Sequence, residues 1–253
     1  MSNRKLTSII IFISSCILIL PAASSIYAQN CPDNALALNP APLEEPWAID
    51  WWMARHESKG TEEGRETAKL LLLGDSITHG WESTGKFVWD TYFQDLKSFN
   101  LGFSGDRTEN VLWRIEHDAL EGISPDLTVL MIGTNNTGHR QDSPECTASG
   151  IERILDQLLN RLPDSQILLL AIFPRGHEPD HELRMLNNNI NNFIAQFGAK
   201  PGVHFLDINE IFLTDDGYLT EEIMPDMLHP NEAGYQLWAE KIKPVINELL
   251  NKE

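Results

Sequence analysis

Basic residues are scarce in this chain. Nineteen lysines and arginines stand against 37 aspartates and glutamates, a net charge of −18. So acidic a chain disfavours nucleic acid and anionic membranes as partners and suits neutral or cationic substrates. Long apolar runs are scarce too, and the one present spans residues 6–20. It follows Arg4 and Lys5 and leads through Pro21 into small residues ending at Ala28. That order reads as a secretory signal peptide over residues 1–28. A membrane anchor is disfavoured, because the run is short for a span and Pro21 breaks it. Ile13-Ser14-Ser15-Cys16 resembles a lipoprotein box only loosely, since apolar residues continue after Cys16. Cleavage after Ala28 would export the chain to a periplasmic or extracellular location and leave no stable membrane span. It would also take the net charge to −20. Cysteine is the third scarcity. Of three, only Cys31 and Cys146 remain in the mature chain. Two cysteines in an exported protein are expected to pair. There is no internal repeat, and no linker marks off a second domain.

What is present is an alternation. Residues 29–68 form a leader rich in Pro, Ala and Asn, then a Trp-rich helix over 47–59 and a charged loop over 60–69. Strands are expected at 69–73, 98–101, 126–132, 166–173 and 203–206. Helices are expected at 87–96, 108–117, 148–162, 183–197 and 231–249. Residues 148–162 carry Ile151, Ile154, Leu155, Leu158, Leu159 and Leu162 at helical spacing. The helix over 183–197 is expected to expose an Asn-rich face, and Asn231 suits the cap of the last helix. Five alternating strand–helix units over residues 69–253 predict one parallel sheet with helices on both faces.

The polar residues able to do chemistry sit where strands end. Leu70-Leu71-Leu72-Leu73 runs directly into Gly74-Asp75-Ser76. The second strand ends in Gly102-Phe103-Ser104-Gly105 and the third in Gly133-Thr134-Asn135-Asn136. Asp226-Met227-Leu228-His229 precedes the closing helix. In a parallel sheet these ends share one edge, so four distant segments meet at one crevice. Acyl transfer needs a hydroxyl, a base, a group that orients the base, and donors for an oxyanion. Ser76, His229 and Asp226 supply the first three. The N–H groups of Ser76 and Gly105 and the Asn135 side-chain amide are candidate donors. Asp75 is expected to hold its turn, Asn136 to order a loop, and Asp106 and Arg107 to pair or bond to loops. His79 and His139 lie near the crevice. His177 and His181 have no third ligand near them, so no metal site is expected.

With these blocks in this order, the sequence resembles the SGNH (GDSL) hydrolase superfamily, its four signature residues falling at Ser76, Gly105, Asn135 and His229. Asn100-Leu101-Gly102-Phe103-Ser104-Gly105-Asp106, Val111-Leu112-Trp113-Arg114-Ile115-Glu116, Phe173-Pro174-Arg175-Gly176 and Phe205-Leu206-Asp207 also resemble the catalytic subunits of platelet-activating factor acetylhydrolase and bacterial esterases like them. The resemblance implies a flavodoxin-like three-layer α/β/α sandwich around a five-stranded parallel sheet. It further implies hydrolysis of small-acyl esters through an acyl-serine, without metal or other cofactor. The expected partner is a small-molecule ester, carbohydrate or lipid-like, and a homodimer is compatible. A lysophospholipase, a thioesterase or an acyltransferase would use the same site. A non-catalytic carbohydrate-binding protein using the tryptophans near Trp51 is the alternative from a different class.

Overall fold

Five short strands position everything else. The structure, a computed structural model, describes residues 31–251; the signal segment expected over residues 1–28 lies outside them. In chain order the elements are α1 (Trp52–Thr61), β1 (Leu70–Gly74), α2 (Ser76–His79), α3 (Lys86–Tyr92), β2 (Ser98–Gly102), α4 (Thr108–Glu116), β3 (Leu127–Met131), α5 (Thr134–Arg140), α6 (Pro144–Arg161), β4 (Gln166–Leu170), α7 (Glu182–Ile194), β5 (Val203–Leu206) and α8 (Glu232–Leu250). The strands form one parallel sheet in the order β2-β1-β3-β4-β5.

Successive side chains of a strand point to opposite faces, and here both faces are covered. Leu71 and Leu73 of β1 join Leu130 and Leu169 in a core closed by α1, α4, α6 and α7. Leu70 and Leu72 join Val129 and Leu168 in a second core closed by α3 and α8. The architecture is thus three layers, α/β/α. Each β1 leucine is fully buried and contributes up to about 1.5–3 kcal/mol. On the α8 side, Trp81 packs against Tyr235 and Trp238 with ring centroids 4.5 and 4.8 Å apart.

Several expectations need correction. The Trp-rich helix starts at Trp52, because residues 47–51 form a turn, and it runs through Gly60 into the stretch expected as loop. The residues after β3 expected as loop are the short helix α5. The Asn-rich face of α7 is not all exposed. Asn187 and Asn191 point inward, while Asn188, Asn189 and Asn192 face solvent. Asn191 accepts from the Ile172 N–H at 2.8 Å and donates to its carbonyl at 2.9 Å. Asn187 donates to the Phe173 carbonyl at 3.2 Å and accepts from Thr137 Oγ1 at 2.8 Å. These amides satisfy the backbone beyond β4, where the sheet no longer does.

The strand order reverses at β1. Its two neighbours, β2 and β3, lead away in opposite directions, which opens a crevice at their carboxyl ends. The leader runs back across this edge. Cys31 and Cys146 form a disulfide across 115 residues, tying the leader to the first turn of α6. Thr108 and Asn110 of α4 donate to the leader carbonyls of Ala37 and Ala41 at 2.8 and 3.0 Å. Among the described residues no helix is long and apolar enough to cross a membrane.

A disulfide typically contributes about 2–4 kcal/mol, largely by constraining the unfolded chain. The Cys31→Ala/Cys146→Ala variant is expected to melt roughly 4–16 °C lower than the parent by calorimetry. An unchanged Tm would show that the leader's packing does not depend on the bridge.

Candidate active site

Ser76 opens α2 at the end of β1. The residue before it, Asp75, caps that helix, its Oδ1 accepting from the Ile77 N–H at 3.0 Å. As the first helical residue, Ser76 has an N–H with no intrahelical acceptor. Tyr235 of α8 donates to the Ile77 carbonyl at 2.6 Å and fixes the short helix from below.

The loop before α8 brings a base across 153 residues of sequence. His229 Nε2 lies 2.8 Å from Ser76 Oγ, and His229 Nδ1 lies 2.6 Å from Asp226 Oδ2. Asp226 Oδ1 accepts from the N–H groups of Leu228 and His229 at 3.1 and 2.7 Å. Met227, directly after Asp226, adopts a left-handed conformation, φ 57°, and its carbonyl accepts from the Gly176 N–H. Burial alone would raise the Asp226 carboxyl. The hydrogen bonds from the His229 ring and the two N–H groups outweigh it and hold the carboxyl below the usual range. An ionised Asp226 accepts a hydrogen bond from the Nδ1–H, which keeps the proton on Nδ1 and leaves Nε2 as the acceptor facing the serine hydroxyl.

Two of the predicted oxyanion donors, Gly105 and Asn135, are tied together through Asp106. Gly105 follows β2 with φ +83°, a conformation that favours glycine, and a Cβ there would stand 2.1 Å from Trp47 Cη2. Its N–H donates to no group among the described residues. Asn135 sits in α5 after β3, buried, and one N–H of its amide donates to the Asp106 carbonyl at 2.9 Å. That bond fixes the amide plane and leaves its second N–H free.

Other residues resolve into supporting roles. Asp106 does not pair with Arg107. It pairs with Arg114, 2.7 Å away with both side chains fully buried, and accepts from the Trp52 indole at 2.7 Å. Complete burial pushes the Asp106 carboxyl up to about 6, with Arg114 and Trp52 opposing the rise. Arg107 instead bonds Glu45 and Glu109. Asn136 braces the loop through Thr108 and Asp142. His79 takes the Ser104 N–H on Nδ1 at 3.3 Å, so its remaining proton sits on Nε2. Burial, then the cation of Arg55, lowers its pKa to about 4, so it is neutral. His177 faces the Leu219 carbonyl, and His181 caps α7. A cavity of about 230 Å³ beside the serine is lined by Ser76, His79, Ser83, Thr84, Ser104 and His229 together with Gly80, Pro230 and Tyr235.

Sequence reasoning missed Trp47 and Arg175 as neighbours of the site. Arg175 donates to the Thr134 carbonyl at 2.8 Å and its cation acts on both Asp75 and Asp226. Its place directly after the fourth strand was the available signal. For Trp47 there was none, because a leader's path over a fold leaves no periodicity.

Comparison with known proteins places this geometry. The sequence model of the GDSL-like lipase/acylhydrolase family matches residues 72–237. The chain is 32% identical over 200 residues to the human platelet-activating factor acetylhydrolase IB subunit alpha1, covering 79% of this chain and 84% of that protein. Its fold is similar to a GDSL-like lipase from Bacteroides thetaiotaomicron, with TM-score 0.63 at 18% identity over 79% of this chain and 97% of that one. It is also similar to an acetylxylan esterase from Geobacillus stearothermophilus, with TM-score 0.57 at 18% identity over 74% and 95%. The chain belongs to the GDSL-like lipase/acylhydrolase family, hydrolases of ester bonds.

Asp75 gives the site a pH signature. Burial is the main cause raising its carboxyl from 3.8 to about 7, opposed by the Ile77 N–H, His229 and Arg175. A raised carboxyl binds its proton more tightly folded than unfolded. Its contribution to stability is therefore complete below the unfolded pKa and lost as pH rises through the folded one. From about pH 4 to about pH 7 the parent should lose up to ~4 kcal/mol of stability relative to Asp75→Asn. Urea unfolding across that range checks this, and parallel pH profiles would contradict it.

Proposed function

We propose that this member of the family is an exported serine esterase that removes a small acyl group, acetyl above all, from a polar alcohol. The observation that carries this is the hydrogen-bonded chain Asp226–His229–Ser76, with spacings of 2.6 and 2.8 Å. His229 Nε2 takes the hydroxyl proton as Ser76 Oγ attacks the ester carbon. The oxyanion is held by the N–H groups of Ser76 and Gly105 and the second N–H of Asn135. His229 then gives its proton to the leaving alcohol as the carbon–oxygen bond breaks. A water molecule, deprotonated by His229, attacks the acyl-serine and releases the acid.

Three observations support the finer reading. The cavity beside the serine, about 230 Å³, carries Ser83, Thr84, Ser104 and His79 besides Gly80, Pro230 and Tyr235 and is lined by no Leu, Ile, Val or Met side chain, which suits a short acyl group. The human relative is named an acetylhydrolase and the Geobacillus structure an acetylxylan esterase. The His229 and Asp226 side chains are 40% and 56% exposed, so water reaches the base, which favours hydrolysis over transfer. The signal-like segment and the Cys31–Cys146 bridge support export to the periplasm or beyond.

If Asn135 stabilises the oxyanion, its contribution exists mainly in the transition state. Asn135→Ala is expected to lower kcat by roughly 10²–10³ with little change in KM. A brace acting only through the Asp106 carbonyl would instead lower Tm and leave kcat within a few-fold. Along a series of p-nitrophenyl esters, the rate should fall from acetate to octanoate. A faster octanoate would overturn the small-acyl reading.

A further inference from the structure

Arg175 lies beyond β4, half-buried, between two segments that each carry part of the site. Its Nη1 donates to the Thr134 carbonyl at 2.8 Å and stands 3.3 Å from Thr134 Oγ1. Thr134 opens α5 and directly precedes Asn135. The N–H of the next residue, Gly176, donates to the Met227 carbonyl at 2.9 Å. Met227 lies between Asp226 and His229 in the sequence. Two consecutive residues thus bond the segment that carries the oxyanion amide and the segment that carries the base.

Both segments need holding. Helix α5 reads Thr-Asn-Asn-Thr-Gly-His-Arg, short and made largely of poor helix formers. Such a helix is kept by its neighbours rather than by its own propensity. Met227, at φ 57°, has a backbone conformation that a methionine keeps only under constraint. The stretch between the two segments is itself rigid. Arg184, 3% exposed, donates to the successive carbonyls of Arg175, Gly176 and His177, and to that of Gly217 at 2.7 Å. The Arg175 guanidinium also lies tight against α5, since a Cβ on Gly138 would stand 2.3 Å from Nη1.

We propose that Arg175 is a positioning residue for acyl transfer, a strut that holds the Asn135 amide and the Asp226–His229 loop at one separation. This rests on the esterase reading above. Arg175 acts through Thr134 and, by way of Gly176, through Met227, without touching the reacting atoms. The oxyanion would form between an amide carried by α5 and a serine whose proton passes to His229. A shift of either segment by about 1 Å weakens interactions made in the transition state and leaves binding of the ground state nearly unchanged. A guanidinium suits the task, because its planar fork fixes the direction of its N–H groups where an ammonium would swivel. Its charge reaches Asp75 and Asp226 without an ion pair to either, so its donors stay on the α5 carbonyl.

The test separates kcat from KM on p-nitrophenyl acetate. Arg175→Ala is expected to lower kcat by roughly 10–100-fold and to leave KM within about twofold. Millimolar guanidinium chloride, far below denaturing concentration, should restore much of the loss, and sodium chloride at equal strength should not. Gly138→Ala pushes the guanidinium aside with its charge retained. It should reproduce part of the loss, and adding it to Arg175→Ala should cost little more. Arg175→Gln, which keeps bulk and a neutral donor, is read in the same way should the alanine variant not fold. The side-chain amide signals of Asn135 in a nitrogen–proton NMR spectrum, identified by their loss in Asn135→Ala, should shift in Arg175→Ala. A lower Tm with kcat within about twofold of the parent would overturn the proposal, leaving Arg175 as packing. A loss confined to KM would overturn it in favour of a substrate contact. A parent that cleaves no ester would refute the esterase reading itself, and the NMR comparison then judges the strut alone. Asn135 signals that stay in place in Arg175→Ala would overturn it.

Discussion

One buried carboxylate, Asp106, ties the crevice together. Its side chain takes the Trp52 indole and the Arg114 guanidinium, and its carbonyl takes the Asn135 amide. Its neighbour is Gly105. Through this residue the leader helix, α4, α5 and the loop after β2 share a single anchor. Two charges out of water stabilise little in themselves, but removing one partner costs about 3–5 kcal/mol, because the other is left buried and unpaired. The arrangement therefore fixes geometry more than it adds stability. The candidate oxyanion donors from β2 and β3 are held in one relation, whatever the surface loops do.

The same crevice sorts its ionisable groups by environment. Asp75 and Asp226 lie on either side of the serine and are pushed in opposite directions. Burial raises Asp75, and three hydrogen bonds lower Asp226 despite burial's opposing pull. Only the second is suited to stand as an anion behind an imidazole. Burial and nearby cations lower the His79 pKa to about 4, leaving a weakly basic imidazole that holds the Ser104 loop through Nδ1. Arg175 places a cation near both carboxylates without an ion pair to either.

Much of this was legible in the sequence because it depends on strand ends. Four leucines followed by Gly-Asp-Ser name a buried strand and its exit. Parallel strands send all such exits to one edge, so Ser76, Gly105, Asn135 and His229 had to converge. Cys31 and Cys146 were readable as a pair from their number. Asn187 and Asn191 were misread because helical spacing shows which residues share a face, not whether that face meets backbone groups needing amides. The Trp-rich helix was begun five residues early because aromatic spacing continues through a turn. The position of Trp47 over Gly105 was out of reach, since it depends on where a leader without regular structure crosses the fold.

The proposed reaction requires Ser76 to carry the acyl group between two half-reactions. Rapid acid quenching of the enzyme during turnover of p-nitrophenyl acetate, followed by peptide mass spectrometry, tests it directly. One acetyl group is expected on the peptide containing Ser76, present early, lost on standing and absent in Ser76→Ala. Full turnover with no acetyl on Ser76, or acetyl on another residue that forms and decays at the catalytic rate, would contradict it.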